Sequence, residues 1–181
     1  MLRDRLIKMG ACEDAVAWVG DRDITAAWAE CQRADWMLWL AGRVVARPLV
    51  VLAACACART VLRYVPDGED RPRVAIETAE RWARGEATIA EVRSAAAAAA
   101  DACATDADAD ACAAADACDA AATCATDASD ACDAATTCAA NAAATVYAAD
   151  GRKVALAQMA NLVRGIIVAD QVAAGLEGRN D

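Results

Sequence analysis

Cysteine and aspartate are the residues of this 181-residue chain with the clearest capacity for chemistry. Six of the ten cysteines, together with ten aspartates, fall in residues 94–151, a stretch otherwise dominated by alanine and lacking lysine, arginine and glutamate. Thiolates could serve as nucleophiles or soft metal ligands, and paired carboxylates could hold a cation or move protons. The surroundings argue against each. A cysteine nucleophile needs a neighbouring base or cation, and the tract supplies only aspartates. The chain has no histidine, so the commonest general base is missing. Two serines (Ser94, Ser129) and two lysines (Lys8, Lys153) sit in no recognisable motif. The expectation is a protein that is not an enzyme.

Metal chemistry fares no better. Asp106-x-Asp108-x-Asp110 resembles the opening of a calcium-binding loop, but Ala111 stands where the loop needs glycine and Ala117 where it needs glutamate. Cys55 and Cys57 fall on different sides of a helix. Cys112, Cys118 and Cys124 are six residues apart, about 240° of helical rotation, which is not a zinc spacing. No metal and no cofactor are therefore expected. The N-terminus, MLRDRLIKMGACEDA, has no apolar signal core, and the run 48–58 is too short to span a bilayer. Both point to a cytoplasmic chain with reduced thiols that behave as small apolar side chains. The even cysteine count would permit a disulfide framework in a secreted protein, but the spacing within the alanine tract argues against one.

The element that must position these groups is a helix. Alanine is the strongest helix former, and the exceptions segregate. At about 100° per residue, Asp116, Asp119, Asp127, Asp130 and Asp133 lie within an arc of roughly 120°, with Cys118, Cys124, Cys132 and Cys138 on the other side. The units DACDAAATC (116–124) and DACDAATTC (130–138) repeat after about four turns. Residues 111–148 thus read as one amphipathic helix, aspartates outward and alanine, cysteine and threonine inward. A break is expected in 105–110, where helix propensity is poor and capping residues cluster.

The net charge is −9, and residues 94–151 alone carry −10, so the rest of the chain is nearly neutral. No basic stripe is present for nucleic acid. The acidic face would instead suit a basic protein; its alternative role is to keep an alanine helix soluble.

The remainder reads as helices at 11–19, 24–33, 35–45, 47–64, 72–84 and 152–170, with a capping box at Thr88–Glu91 opening the helix that enters the tract. Asp23 or Thr25 caps the second of these, and helix 47–64, apolar nearly all round, is the expected core centre. Val74, Ile76, Ala79 and Ala83 form the expected stripe of helix 72–84. Residues 65–72 are the clearest loop, Asp150-Gly151 reads as a turn, and GLEGRND as a frayed tail. Trp18, Trp28, Trp36, Trp39 and Trp82 admit a ligand-pocket reading, with core anchoring the default and Trp39 facing away from Trp36. No strand-like alternation occurs.

Several pieces in one order resemble the immunity protein family of bacteria and phages: ACEDAVAWVGDRDI, AWAECQRADWMLWLAGR, and the long segment from LVVLAACACARTVLRYVPDGEDRPRV to EVR, followed by an alanine-rich stretch and a closing amphipathic helix. The match covers residues 10 to 95, and its most specific parts are Cys31-x-x-x-Asp35-Trp36-Met37-Leu38-Trp39 and Ala79-Glu80-x-Trp82-Ala83-x-Gly85. Family members often carry tyrosines through the alanine tract, where this chain has cysteine and aspartate. The resemblance implies a protein that binds and neutralises a toxin.

The composite expectation is a single all-α domain over 1–181, with six to eight helices: a core at 10–95, the acidic stretch 94–151 and a closing helix 152–170. Its expected partner is a protein toxin with a basic surface, met by Asp116, Asp119, Asp127, Asp130 and Asp133 and by Asp67 and Asp70 of the loop. Neither nucleic acid nor membrane is an expected partner. The alternative is a scaffolding module that self-associates, as a homodimer, through its small-residue helix.

Overall fold

The computed structural model describes residues 1–105, 117, 118, 120, 121, 125, 137 and 149–178. Among these the fold is all-α, with nine α-helices and no strand. They are α1 Leu2–Lys8, α2 Glu13–Val19, α3 Ile24–Glu30, α4 Ala34–Val44, α5 Arg47–Arg59, α6 Arg71–Ala83, α7 Ile89–Thr105, α8 Ala149–Ile166 and α9 Ala169–Glu177.

Helix α5 is the centre, packed by α4, α6 and α8. It buries Val50, Val51, Ala53, Ala54, Cys55, Cys57 and Ala58, positions that cover an arc of about 200°. It is shorter than 47–64. The amides of Thr60 and Val61 bond back to the carbonyls of Cys57 and Ala58, the Thr60 hydroxyl donates to Cys57 O as well, and a 3₁₀ turn follows at Leu62–Tyr64. Helix α6 lies against α5 on one side and α7 on the other. A two-pronged ion pair between Arg59 and Glu80, with both contacts 2.8 Å, fastens it to α5. Its buried face is Pro72, Ala75, Ile76, Thr78 and Ala79. Val74, expected in that stripe, is instead 48% exposed, because it stands about 200° around the helix from both Pro72 and Ile76.

Local signals set several boundaries. Asp23 Oδ1 accepts from the Ala26 amide at 2.8 Å and starts α3. Thr88 and Glu91 exchange hydrogen bonds as a capping box opening α7. Gly85, at φ 79, ends the turn after α6 in a conformation that side chains resist. Helix α7 turns Val92, Ala96, Ala99 and Ala102 to the interior, small residues that let it approach α6 closely.

The C-terminal region departs from expectation. Asp150 and Gly151 are helical, in the first turn of α8. The closing helix 152–170 is two helices, bent by 73° at Ile167–Val168. Gly175–Glu177 belongs to α9, where Val172 and Leu176 are buried. Of the apolar run in α8, Met159 and Val163 are buried while Val154 and Leu162 are exposed. Helix α9 folds onto α3 and α4. This extra helix, together with α1, takes the count past the six to eight expected. No single described helix is long and apolar enough to cross a membrane.

Candidate functional site

The N-terminal helices enclose a cavity of about 440 Å³ that opens on the surface. Helix α1 contributes Leu2 and Leu6, α2 contributes Ala15 and Trp18, α3 contributes Ala27 and Trp28, and α4 contributes Trp36 and Trp39. Gly10, at φ 80, makes the reversal that lays α1 beside α2. Trp28 is buried, and its indole N–H donates to Ile167 O at 2.9 Å across the chain. Trp18, Trp36 and Trp39 are half-buried around the opening. Trp18 and Trp36 meet at 6.1 Å between centroids, tilted by 57°. Trp39 borders the same space as Trp36 and does not face away from it: three residues of helix is about 300°, so the two side chains are only about 60° apart.

Each of these three half-buried rings carries a guanidinium. Arg22 lies 4.8 Å from the Trp18 centroid, Arg33 4.3 Å from Trp36 and Arg43 3.9 Å from Trp39. Such contacts are worth about 0.5–1 kcal/mol each at exposed sites. The arginines are held in turn. Arg22 donates to Glu30 at 2.8 Å and to Trp18 O at 2.6 Å, and Arg33 grips Asp35 with bonds of 2.9 and 2.6 Å. This cladding was missed from the sequence, although part of the signal was there: Trp39 and Arg43 stand four apart on α4, one helical turn, whereas Arg22 reaches Trp18 from the loop beyond α2.

Two thiols reach the cavity with different characters. Cys12 is exposed and Cys31 is buried, its Sγ donating to Arg33 O at 3.6 Å. Burial pushes the Cys31 thiol up, and the same cause takes Cys57 in α5 to about 12. The thiolate is the reacting form, so site-resolved alkylation with iodoacetamide at mildly alkaline pH should modify Cys12 roughly a hundredfold faster than Cys31, Cys55 or Cys57, whose reaction awaits local opening. Comparable rates at Cys12 and Cys57 would contradict the core placement. Cys12, Cys31 and Cys57 are free thiols, and no three His, Cys, Asp or Glu side chains gather into a metal site among the described residues.

The acidic residues divide. Asp116, Asp119, Asp127, Asp130 and Asp133 lie outside the described residues, as do the calcium-like segment 106–110 and most of 111–148. Their described neighbours are informative. Ala117, Cys118, Ala120 and Ala121 are helical, whereas Ala125 is in a turn, so residues 111–148 are not the one continuous helix expected. Ala117, Cys118, Ala120, Ala121 and Ala125 are all buried in the core. Thr137 was expected inward with the other threonines and is exposed. A helical phase counted from residues before it cannot be carried to it, because the turn at Ala125 lies between.

Asp67 and Asp70 are both exposed on the loop before α6, but that loop balances much of its own charge. Arg73 pairs with Asp70, and Arg71 takes both carboxylate oxygens of Glu69. The Arg71 side-chain bonds hold the Glu69 carboxyl down at about 2, helped by the Arg71 amide. The structure therefore brings Asp67 and Asp70 together on one loop that already contains its own cations. Comparison of the chain with protein-family models, with curated proteins and with solved structures found no match.

Proposed function

We propose that this chain works by binding: a non-catalytic protein of the immunity type that neutralises a cognate toxin by stoichiometric association. The toxin's basic surface would be met by Asp116, Asp119, Asp127, Asp130 and Asp133, with Asp67 and Asp70 at the margin. The supporting observation is the separation of charge from packing along the tract. All of the net acidity sits in residues 94–151, and Ala117, Cys118, Ala120, Ala121 and Ala125, interleaved with the aspartates in sequence, are buried. Like charges three residues apart, as in Asp116/Asp119 and Asp130/Asp133, repel by a few tenths of a kcal/mol per pair. A basic partner removes that repulsion and is steered in by the field. The same burial weakens the self-association alternative, since Ala117, Cys118 and Ala121 already pack inside their own chain.

The test is capture of partners from the source cell by the wild-type protein and by a variant with all five aspartates changed to asparagine, with circular dichroism confirming the variant's fold. The captured protein is identified and expressed alone and with each form. The expected result is a basic protein that arrests growth alone, is relieved by wild type, and binds the variant at least about a hundredfold more weakly at low salt. Equal capture and equal relief by both forms would place recognition elsewhere. Recovery of this chain alone would return the reading to self-assembly.

A further inference from the structure

We infer that the tryptophan-lined cavity is a binding site for a neutral, apolar small molecule, a role independent of the toxin-binding reading. Its volume of about 440 Å³ falls within the range of ligand pockets, which are mostly apolar with few polar groups. The chemistry of its walls selects the class of occupant. The charged side chains in the lining are Arg33 and Asp35, and they neutralise each other through two hydrogen bonds. The indole N–H of Trp28 is taken by Ile167 O, and the Cys31 thiol by Arg33 O. Among the described residues no buried side-chain nitrogen or oxygen lacks a partner. A ligand carrying a charge would have to break the Arg33–Asp35 pair or leave its own charge desolvated, and either costs affinity. A neutral apolar ligand asks nothing of these groups and gains from covering Leu2, Leu6 and the tryptophan faces. Around the opening, Arg22 and Arg33 lie over Trp18 and Trp36, which holds these walls in place before a ligand arrives.

Two fluorescent probes that share one ring system and differ by a sulfonate test this directly. N-phenyl-1-naphthylamine is neutral, and 8-anilinonaphthalene-1-sulfonate is its anionic counterpart. Titrating the full chain with the neutral probe should give saturable, stoichiometric fluorescence enhancement with energy transfer from the tryptophans, and the anionic probe should bind at least about tenfold more weakly. Ala15→Trp, which fills the cavity from a half-buried position on α2, should weaken the neutral probe at least about tenfold while the circular dichroism spectrum is retained. If that variant misfolds, Ala11→Phe at the other half-buried small position in the lining takes its place. Absence of saturable binding, equal affinity for both probes, or unchanged binding in a folded cavity-filled variant would each overturn the proposal. So would exclusion of the neutral probe combined with loss of protein capture in Ala15→Trp, because the cavity would then receive a partner's side chain. Failure of the five-aspartate test leaves this result untouched, and the reverse holds.

Discussion

Gly175→Ala should destabilise the protein by about 3 kcal/mol, measured by urea unfolding followed by circular dichroism. Glycine to alanine inside a helix ordinarily stabilises by about 0.5–1 kcal/mol, so the predicted sign is the reverse of the propensity effect. The cause is where α9 crosses α4. A Cβ at Gly175 would lie on the Val44 carbonyl, 2.7 Å from its carbon and 3.0 Å from the Val44 Cβ. The obstacle is main chain at the end of a helix, so no side-chain rotamer relieves it and α9 must lift from its seat. Gly165 provides the control. It lies in α8, and a Cβ added there would meet nothing within 4 Å, so Gly165→Ala should stabilise by about 0.5–1 kcal/mol. If both substitutions shift stability in the same direction, the close crossing of α9 and α4 is wrong.

Arg164→Met should cost about 2–3 kcal/mol in the same unfolding experiment. One guanidinium nitrogen of Arg164 donates to Trp28 O at 3.1 Å and Cys31 O at 2.6 Å, and the other to Asn161 Oδ1 at 2.7 Å. Those carbonyls are at the C-terminal end of α3, where helical carbonyls lack partners and a cation is favoured by the helix dipole. Removing the guanidinium leaves part-buried acceptors without their donor. Methionine keeps much of the length of the side chain, which confines the change largely to the lost bonds. Arg164→Lys should recover less than half of the loss, because an ammonium does not reproduce the planar fork. The consequence reaches the cavity, since Trp28 forms part of its wall and is tied to Ile167 at the bend between α8 and α9. Both methionine and lysine variants should therefore weaken the neutral probe as well as lower the unfolding midpoint. A methionine variant as stable as wild type would mean that Arg164 does not clamp α3.

Much of the core was legible because it rests on near-neighbour chemistry. The Thr88–Glu91 capping box, the Asp23 cap and the all-round apolar helix α5 are written in residues three or four apart, and hydrogen bonding and burial follow that spacing directly. The bend at Ile167–Val168 was not legible. The apolar rhythm from Val154 to Ile167 runs up to it without proline, so nothing local announces a stop. Gly175 looked like part of a frayed tail for the same reason: its value lies in the absence of a Cβ facing Val44, a residue far away in the chain. Helix α1 went unread because charge at positions 3, 4, 5 and 8 hid the spacing of Leu2 and Leu6.

The candidate sites divide in the same way. Residue counts along the chain fixed that the acidity is local and that no histidine is available for catalysis, whereas the angles drawn for one helix over 111–148 do not survive the turn at Ala125. The tertiary structure decided that Trp18, Trp28, Trp36 and Trp39 wall a cavity together, that Arg33 and Asp35 cancel there, and that Asp70 already has Arg73. Those outcomes depend on how four short helices pack, and packing is settled by contacts between residues whose separation in sequence carries no periodic signal.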